Sequence, residues 1–594
     1  MFYSCGFALT LQAFAGNDTR QHSGNFLPLA SVYHGFLLMV EGNVLMDFMR
    51  LRSIRSLLAA SLLVCACQSC ARYEVRSPAD YIGPKTSETP GEAAIVAEAN
   101  TPPTTPPEPV PATAAGEGPL QVTIGQATLL SLENNKSLIV QRMEPQITRT
   151  FEQEQRAVFD PVLTGQIAYE QDKVDAGPIT SDVSGVSGSI GVNELLPTGT
   201  TLGVTGSTSP SALAELPVDE RESRIAFNAT QSLLRGFGPA VNLASVNQAK
   251  LDTQISQYEL RGFAQTLVAQ VEQTYWDYAL AGRQIEIFSQ SLDLAQKQLE
   301  ETRERIRVGD LAATELSAAE AEVALRREAL INARSDLAKI KLNLLRLVNP
   351  PGGNLWNREI VLASLPTIPS IQLDDVESHV ALAMRMRPDL NQAKLLWQRG
   401  DLEVVKTRNG LLPRLDLFVT LGKTGYAESF GKSIEDIGGG SYDTLVGLNF
   451  EYPPLNRGAQ ARHLRAVLTR QQAREAIGNL SQLIEVDVRT AYLEIARSQE
   501  QVAATAATRK LQEEKLRSET EKFRLGKSTS LLVAQAQRDL VSSQIAEIQA
   551  VVNYLQSFVE MYRQEGSLLE RRGIAGPGRE PVELPDMSPR QTDQ

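Results

Sequence analysis

Histidine and cysteine, two residue types that often carry out catalysis, number only four each in this chain of 594 residues. No glycine-rich phosphate loop follows a predicted strand, and the four histidines lie far apart. These histidines are His22, His34, His379 and His463. Because they form no recognisable constellation, the sequence predicts a protein that is not an enzyme and that holds no cofactor and no metal ion.

Three of the four cysteines are clustered in LLVCACQSC, residues 62–70. A CxCxxC spacing could bind a metal ion, but arginines and a short apolar run, Leu57–Ala66, precede it. A positive region, a short apolar core and small residues are typical of a secretion signal, and the run is too short to span a bilayer. The stretch Val64-Cys65-Ala66-Cys67 resembles a bacterial lipobox, which makes Cys67 the predicted lipidated residue.

The termini are expected to lie outside the folded body. Residues 1–45 do not resemble the start of a secreted protein and are interpreted as a mis-assigned leader, with a signal peptide at 46–66. Residues 67–118 are predicted to be a lipidated N-terminus and linker, because TPPTTPPEPVP favours an extended chain. Residues 573–594 are predicted to be a disordered tail.

Composition favours long packed helices over a compact enzyme core. Aromatic residues make up only 6% of the chain, whereas Ala, Gln, Glu, Leu and Arg dominate its long segments. The net charge of −12 argues against nucleic acid as a partner, because phosphate binding requires a basic face.

Two proline-free windows each predict a long helical hairpin. They run from Pro239 to Pro350 and from Pro454 to Pro577. Apolar residues recur in both at alternating spacings of 3 and 4, which is the pattern of a coiled-coil seam. The windows superpose at a shift of 217 residues, which places Gly309 on Gly526. Each glycine is predicted to permit a tight reversal at the tip of its hairpin.

Segments with a period of two precede each window and predict strands. In LDLFVTLG, residues 415–422, apolar side chains alternate with Asp416 and Thr420. In TLVGLNFEY, residues 444–452, they alternate with Asn449 and Glu451. Similar stretches near 163–169 and 225–229 bring the predicted total to four strands, and GVNELLPTGTTLGV at 191–204 could add a small hairpin.

The whole chain therefore predicts an α+β protein of two internal repeats. Repeat 1 is assigned to 119–350, a connection to 351–385, and repeat 2 to 386–572. Four strands cannot close a barrel alone, but several copies together can, with apolar side chains facing lipid and the four polar residues facing water. An ordinary half-buried sheet is the alternative interpretation of the same alternation.

Several stretches taken in order resemble the TolC family of outer-membrane efflux proteins over residues 120–570. They are LSLENNKSL (130–138), MRPDLNQA (386–393), LLPRLDL (411–417), and the tips RVGDLAATE (307–315) and FRLGKSTSLL (523–532). The resemblance implies a homotrimer whose four strands per protomer build a barrel in the bacterial outer membrane, continued by a periplasmic helical tunnel. It implies a passive exit duct of a tripartite efflux pump or type I secretion system, opened by an inner-membrane pump and a periplasmic adaptor.

The resemblance also implies an acidic constriction just after the tip. Glu315 matches the family's acidic position and Asp310 lies near it, whereas the equivalent positions of the second tip are Leu532 and Gln535. Arg524 and Lys527 are the nearest cationic residues that the sequence offers as tip partners. Glu315 could equally be a solvated carboxylate at a helix start. A competing function is that of a periplasmic coiled-coil adaptor or scaffold, which has one hairpin where this chain has two.

Overall fold

The computed structural model describes residues 119–176, 179–210, 221–352, 355–368 and 373–584. Cys67, the signal peptide at 46–66, the leader at 1–45 and the proline-rich linker at 67–118 lie outside these residues.

The described chain alternates short helices, strands and two long helical hairpins. The first half contains β1 (Leu120–Val122), α1 (Ile124–Asn134), α2 (Lys136–Gln141), α3 (Glu144–Arg156), β2 (Val162–Ala176), β3 (Ile179–Leu195), β4 (Thr200–Pro210), β5 (Arg221–Ser232), α4 (Pro239–Asn242), α5 (Ala244–Arg307) and α6 (Thr314–Val348). The second half contains β6 (Ile360–Leu362), α7 (Val376–Met386), α8 (Pro388–Asn409), β7 (Arg414–Ala427), α9 (Phe430–Asp436), β8 (Tyr442–Glu451), α10 (Arg457–Arg524), α11 (Ser530–Gln564) and α12 (Leu568–Arg571).

The two hairpins have matching dimensions. Their outgoing helices, α5 and α10, have 64 and 68 residues, and each returning helix, α6 or α11, has 35. At a rise of about 1.5 Å per residue the outgoing helices are roughly 100 Å long. Both predicted hairpins are therefore present, with their reversals at the predicted glycines. In the described part of the chain, no helix is both long and apolar enough to cross a membrane.

A hydrophobic belt surrounds the hairpins partway along their length. It brings together residues of both hairpins and of α1, α7, α8 and α12, beside the parallel pair β1 and β6. Tyr275 is fully buried there, and its hydroxyl accepts a hydrogen bond from the Ser364 amide at 3.0 Å. The connection predicted at 351–385 is thus partly structured, because β6 pairs with the start of the folded chain through Leu120 and Ile360.

All the remaining described strands form one antiparallel sheet. Its order is β2-β3-β4-β5-β7-β8, so that sequential strands are neighbours throughout. The prediction of four strands is wrong in number, because the stretch at 191–204 contributes to two further strands, β3 and β4, that insert between β2 and β5. The pattern of this stretch predicts at most a small hairpin, whereas β3 is the longest of the described strands of the sheet, at 17 residues.

Register places apolar side chains on one face of this sheet. One row crosses five strands through directly paired residues: Leu163, Val192, Val204, Phe227 and Leu421. On β7 and β8 the pairs Val419–Val446 and Leu417–Leu448 extend the same face. The large side chains of this face on β8 are exposed, with Val446 61% and Leu448 63% accessible. The face is therefore apolar and not covered by other parts of the described protomer.

The C-terminal segment differs from the predicted disordered tail. Residues 573–584 are described and run along the helical body. The Tyr258 hydroxyl donates to the Glu580 carbonyl, and the Val582 amide donates to Asn391 Oδ1 at 2.9 Å. Val582 also packs against Tyr258 and Leu395. The prolines of this segment predicted disorder, whereas residues 573–584 form an extended segment that binds to neighbouring helices.

Candidate functional site

The two hairpin tips reverse by the same hydrogen-bonding pattern. Gly309 has φ of 82°, and its amide and that of Asp310 donate back to the carbonyls of Ile306 and Arg305. Gly526 has φ of 69°, and its amide and that of Lys527 donate to Phe523 and Lys522. This is the Schellman arrangement, which satisfies the last carbonyls of a helix and requires a left-handed residue. Both glycines therefore adopt the left-handed backbone conformation that such a reversal requires.

Glu315 lies in the first turn of α6 and contacts the other hairpin. The Ser530 hydroxyl, at the start of α11, donates a hydrogen bond to Glu315 Oε2. The Glu315 side chain is half-buried, and it lines a cleft between the tips together with Arg305 and Phe523. The guanidinium of Arg305 stacks over the Phe523 ring at 5.2 Å, a second contact between the hairpins.

One heptad further along, a buried charge cluster joins the same two helices. Glu322 accepts a hydrogen bond from Arg326 Nε at 2.8 Å and lies 3.5 Å from Arg538 of α11. Glu322 and Arg326 are each less than 10% exposed. This cluster is not among the predicted site residues. The spacing of four between Glu322 and Arg326 was a visible signal for their pairing, whereas the contact with Arg538 spans 216 residues.

The other predicted constriction residues are exposed at the tips. Asp310, Leu532 and Gln535 are exposed in the protomer, and Leu532 is 47% accessible. The structure does not join them to Glu315 through any contact among the described residues.

The predicted cationic partners do not pair with Glu315. Arg524 lines the same cleft, but its guanidinium donates to Glu521 of its own helix at 3.0 Å. Lys527 is exposed in the tip turn. Among the described residues, Glu315 therefore accepts from a hydroxyl donor, Ser530, and not from the predicted cations.

The second tip has its own carboxylate contact. The Lys522 ammonium donates to Glu519 at 2.6 Å, and the Ser528 hydroxyl donates to it at 2.8 Å. The hydrogen bonds from Lys522 and Ser528 hold the pKa of Glu519 below its ordinary value. Because Ser528 lies beyond the reversal, Glu519 connects the end of α10 to the residues that lead into α11.

The four predicted lumen residues share the polar face of the sheet. Asp416 lies opposite Asn449, and Glu451 lies opposite Arg414, on the face that Thr420 also occupies. Asp416 is only 2% exposed, since it accepts hydrogen bonds from Arg414 Nε at 2.6 Å and from Ser232 at 3.0 Å. It is therefore a paired structural carboxylate, whereas Asn449 and Glu451 are exposed.

The described residues contain no group of three or more His, Cys, Asp or Glu side chains that could hold a metal ion. His379 lies in the helical belt, where its ring hydrogen-bonds with Glu565 and both side chains are buried. His463 contacts the Thr407 hydroxyl at 3.2 Å. These two histidines are far apart in the packing and serve separate helix contacts.

Solved structures with a similar fold include outer-membrane proteins of three bacteria. The Campylobacter jejuni CmeC outer membrane channel shares 14% identity, with 75% of this chain and 86% of that chain covered at a TM-score of 0.58. The Vibrio cholerae outer membrane protein VceC shares 15% identity, with 75% and 96% covered at 0.57. The open state of the Neisseria gonorrhoeae MtrE outer membrane channel shares 17% identity, with 75% and 89% covered at 0.55.

A search of curated protein sequences finds no match to the chain. The family comparison is more specific than these folds, because it rests on sequence. The outer membrane efflux protein family matches residues 221–349 and 380–567, which include both hairpins and the strands β5, β7 and β8. Because these residues make up more than half of the chain, the protein belongs to the outer membrane efflux protein family.

Proposed function

We propose that this outer-membrane efflux protein is the exit duct of a tripartite efflux pump or a type I secretion system, and that it works as a homotrimer. One observation carries the proposal. A single chain holds a sheet with one continuous apolar face and two helical hairpins roughly 100 Å long. The apolar face of the sheet suits contact with a lipid bilayer. The length of the hairpins suits a tunnel that crosses the periplasm.

The dimensions of the apolar face support its contact with lipid. On β8 the apolar face runs from Tyr442, at the end remote from the long helical hairpins, to Phe450 near the hairpins. Eight residues of strand span roughly 26 Å. Transmembrane barrels carry an apolar band ~25 Å tall with aromatic residues at both borders. Tyr442 and Phe450 therefore mark the two interfaces of the outer membrane, and the helices extend into the periplasm.

The tips form the periplasmic entrance of the trimer. In this arrangement each subunit contributes two tips, and the two halves of the chain act as repeats of one plan. Glu315 of three subunits would form an acidic ring that favours cations. The Glu315–Ser530 contact and the Glu322–Arg538 contact hold the two hairpins of a subunit together at this end. An adaptor and an inner-membrane pump supply the energy and open the entrance.

The N-terminal cysteine adds a second attachment to the membrane. Lipidation of Cys67 would anchor the mature chain through acyl groups, and the linker to residue 118 would span from that anchor to β1. This attachment supplements the sheet, which has its own lipid-facing surface.

An adaptor or scaffold accounts for the hairpins but leaves the sheet unexplained. A periplasmic sheet would expose Leu163, Ile167 and Val446 to water, where apolar surface is unfavourable. Barrel formation in lipid removes that cost.

Pore formation by the purified protein tests the proposal. In detergent the protein should be a trimer with a long axis well over ~100 Å, measured by light scattering and small-angle X-ray scattering. In planar bilayers it should insert from one side and form a channel of low conductance that rises when the tips are opened. A globular monomer that leaves bilayers sealed would contradict the proposal.

A further inference from the structure

The two additional strands are integral members of the sheet. β2 pairs with β3 over the whole length of β2, from Val162 opposite Asn193 to Ala176 opposite Ile179. β4 pairs with β5 over eleven positions, from Thr200 opposite Gln231 to Pro210 opposite Arg221. β2 and β5 are therefore separated by two strands and cannot pair with each other.

The turn between β3 and β4 is bound to the base of the sheet. The Ser232 amide donates to the Gly199 carbonyl and the Gly238 amide donates to the Thr198 carbonyl, both at 3.1 Å. Asn242 Nδ2 donates to the Pro197 carbonyl at 3.0 Å. Gly199 has φ of 85°, and a Cβ at this position would lie 2.2 Å from the Gly236 carbonyl oxygen. These contacts fix the β3–β4 hairpin against the end of β5 and the segment that follows it.

Each of the two faces continues across the added strands. Val186, Ile190 and Val192 of β3 lie on the apolar face and are exposed. The polar face of β3 and β4 carries short uncharged side chains, which are Ser187, Ser189, Gly191, Gly203, Thr205 and Ser207. A hairpin lying in water outside a barrel would have no reason to separate apolar and polar side chains in register with its neighbours.

The two edges of the sheet are complementary. β2 runs away from the helices and β8 returns towards them, so β8 of one copy would meet β2 of the next in antiparallel orientation. In the protomer both edges leave backbone groups without strand partners and expose apolar side chains, including Ile167 and Leu448. Closure of the sheet with further copies of the same chain pairs these backbone groups and leaves no exposed edge.

We propose that three copies close a barrel of eighteen strands, six from each, in place of the twelve that four strands per subunit would provide. This inference rests on the proposed function and concerns the width of the exit. The diameter of a barrel grows roughly in proportion to strand number, and barrels of about 16 to 18 strands leave an open aqueous channel. Because β3 and β4 line the lumen with short neutral side chains, the added width stays open and admits bulky solutes.

Neighbouring single cysteines on β3 test the inference in proteoliposomes. Ser189→Cys should react with a water-soluble thiol reagent through the lumen. Ile190→Cys should not react with this reagent. A fluorophore attached at residue 190 should be quenched by lipids that are brominated on their acyl chains. The same pair on β8, Asn449→Cys and Leu448→Cys, is the matched control for the barrel itself. The unmodified protein measures the background reaction of the native cysteines with the reagent.

The outcomes separate this inference from the proposed function. If β8 alternates between lipid and water but both β3 cysteines react freely, the barrel exists and the eighteen-strand arrangement is wrong. If neither strand alternates, the channel proposal itself fails. Electron cryomicroscopy of the unmodified trimer gives an independent count, since a cross-section with twelve strands at mid-barrel would overturn the inference and one with eighteen would establish it.

Discussion

Glu315 illustrates how a residue acquires a role from its partner. It lies where a carboxylate stabilises the start of a helix through the dipole, and that role needs no other element. In the folded protein its Oε2 also accepts from Ser530 of the second hairpin. The same carboxylate can therefore contribute charge to a pore and hold the two tips together, and two substitutions can separate these contributions.

We expect Glu315→Gln to reduce cation preference and to raise the resting conductance in planar bilayers. The substitution removes three negative charges from the proposed ring and weakens the contact with Ser530. Weakening such a hydrogen bond costs roughly 1 kcal/mol in each subunit, which corresponds to about a fivefold increase in the open population of each pair of tips. Reversal potentials in a salt gradient measure the selectivity, and single-channel traces measure the open fraction.

Ser530→Ala separates the two effects. It retains the carboxylate of Glu315 and removes only the donor, so the open fraction should rise while cation preference persists. Glu451→Gln, on the polar face of the sheet, is the control and should change both readouts less. Unchanged selectivity and conductance in the Glu315 variant would mean that Glu315 is only a helix-start carboxylate and that the constriction lies elsewhere.

The tip glycines have a different role from glycines within the helices. We expect Gly526→Ala to destabilise the second tip by about 1 to 2 kcal/mol, because its left-handed backbone is costly for any residue with a Cβ. Gly478→Ala, inside α10 with no atom within 4 Å of the added Cβ, should instead stabilise the helix by about 0.5 to 1 kcal/mol. Hydrogen exchange of tip and mid-helix amides measures both. Equal effects of the two substitutions would contradict the Schellman geometry.

At the scale of elements, the tip turn of each hairpin sets how its returning helix is aligned with its outgoing helix. In the second hairpin Glu519 provides a connection across that turn, through Lys522 on one side and Ser528 on the other. A carboxylate whose pKa is lowered on folding stabilises the folded form above its unfolded pKa, ordinarily near 4.5. That contribution is lost as pH falls through the lower folded pKa.

We therefore expect Glu519→Gln to speed hydrogen exchange of the second tip at pH 7, because Lys522 and Ser528 lose an ionised acceptor. As the pH falls below about 4.5, the difference from the unmodified protein should shrink and disappear. Rates are compared after correction for intrinsic exchange at each pH. Glu521→Gln is the control, since Glu521 pairs with Arg524 within α10 and does not reach the turn. A difference that persists in acid would exclude this carboxylate as its cause.

At the scale of the whole molecule, the sheet and the hairpins divide the protein between two environments. The sheet exposes apolar side chains in one band, and the hairpins bury a belt of core residues partway along their length. A predicted lipid anchor on Cys67 would attach the chain to the membrane independently of either part.

We expect mass spectrometry of the mature protein to find its N-terminus at a diacylated or triacylated Cys67. Cys67→Ser should abolish the lipid mass while leaving the sheet able to insert, since the apolar band does not depend on the anchor. Membrane fractionation of the two forms compares their retention. A mature N-terminus elsewhere that carries no lipid would show that the lipobox interpretation is wrong.

Local pattern in the sequence determined much of this architecture. The absence of proline, the spacings of 3 and 4 and the two aligned glycines predicted both hairpins and located their reversals at Gly309 and Gly526. These features act over a few residues, through helix geometry and backbone sterics, so they can be recognised without knowledge of the rest of the fold. The alternation of LDLFVTLG and TLVGLNFEY likewise predicted β7 and β8, whose pairing places Asp416 and Glu451 on one face of the sheet.

Only the tertiary structure decided the number of strands and the partners of the tip residues. β3 and β4 are rich in glycine, serine and threonine, so their pattern is weak, and their place between β2 and β5 depends on long-range register. Glu315 and Ser530 are 215 residues apart, and their contact exists because two separate hairpins pack side by side. The segment 573–584 is ordered because Tyr258 and Asn391 bind its backbone. Such contacts depend on how distant elements meet, which no local spacing encodes.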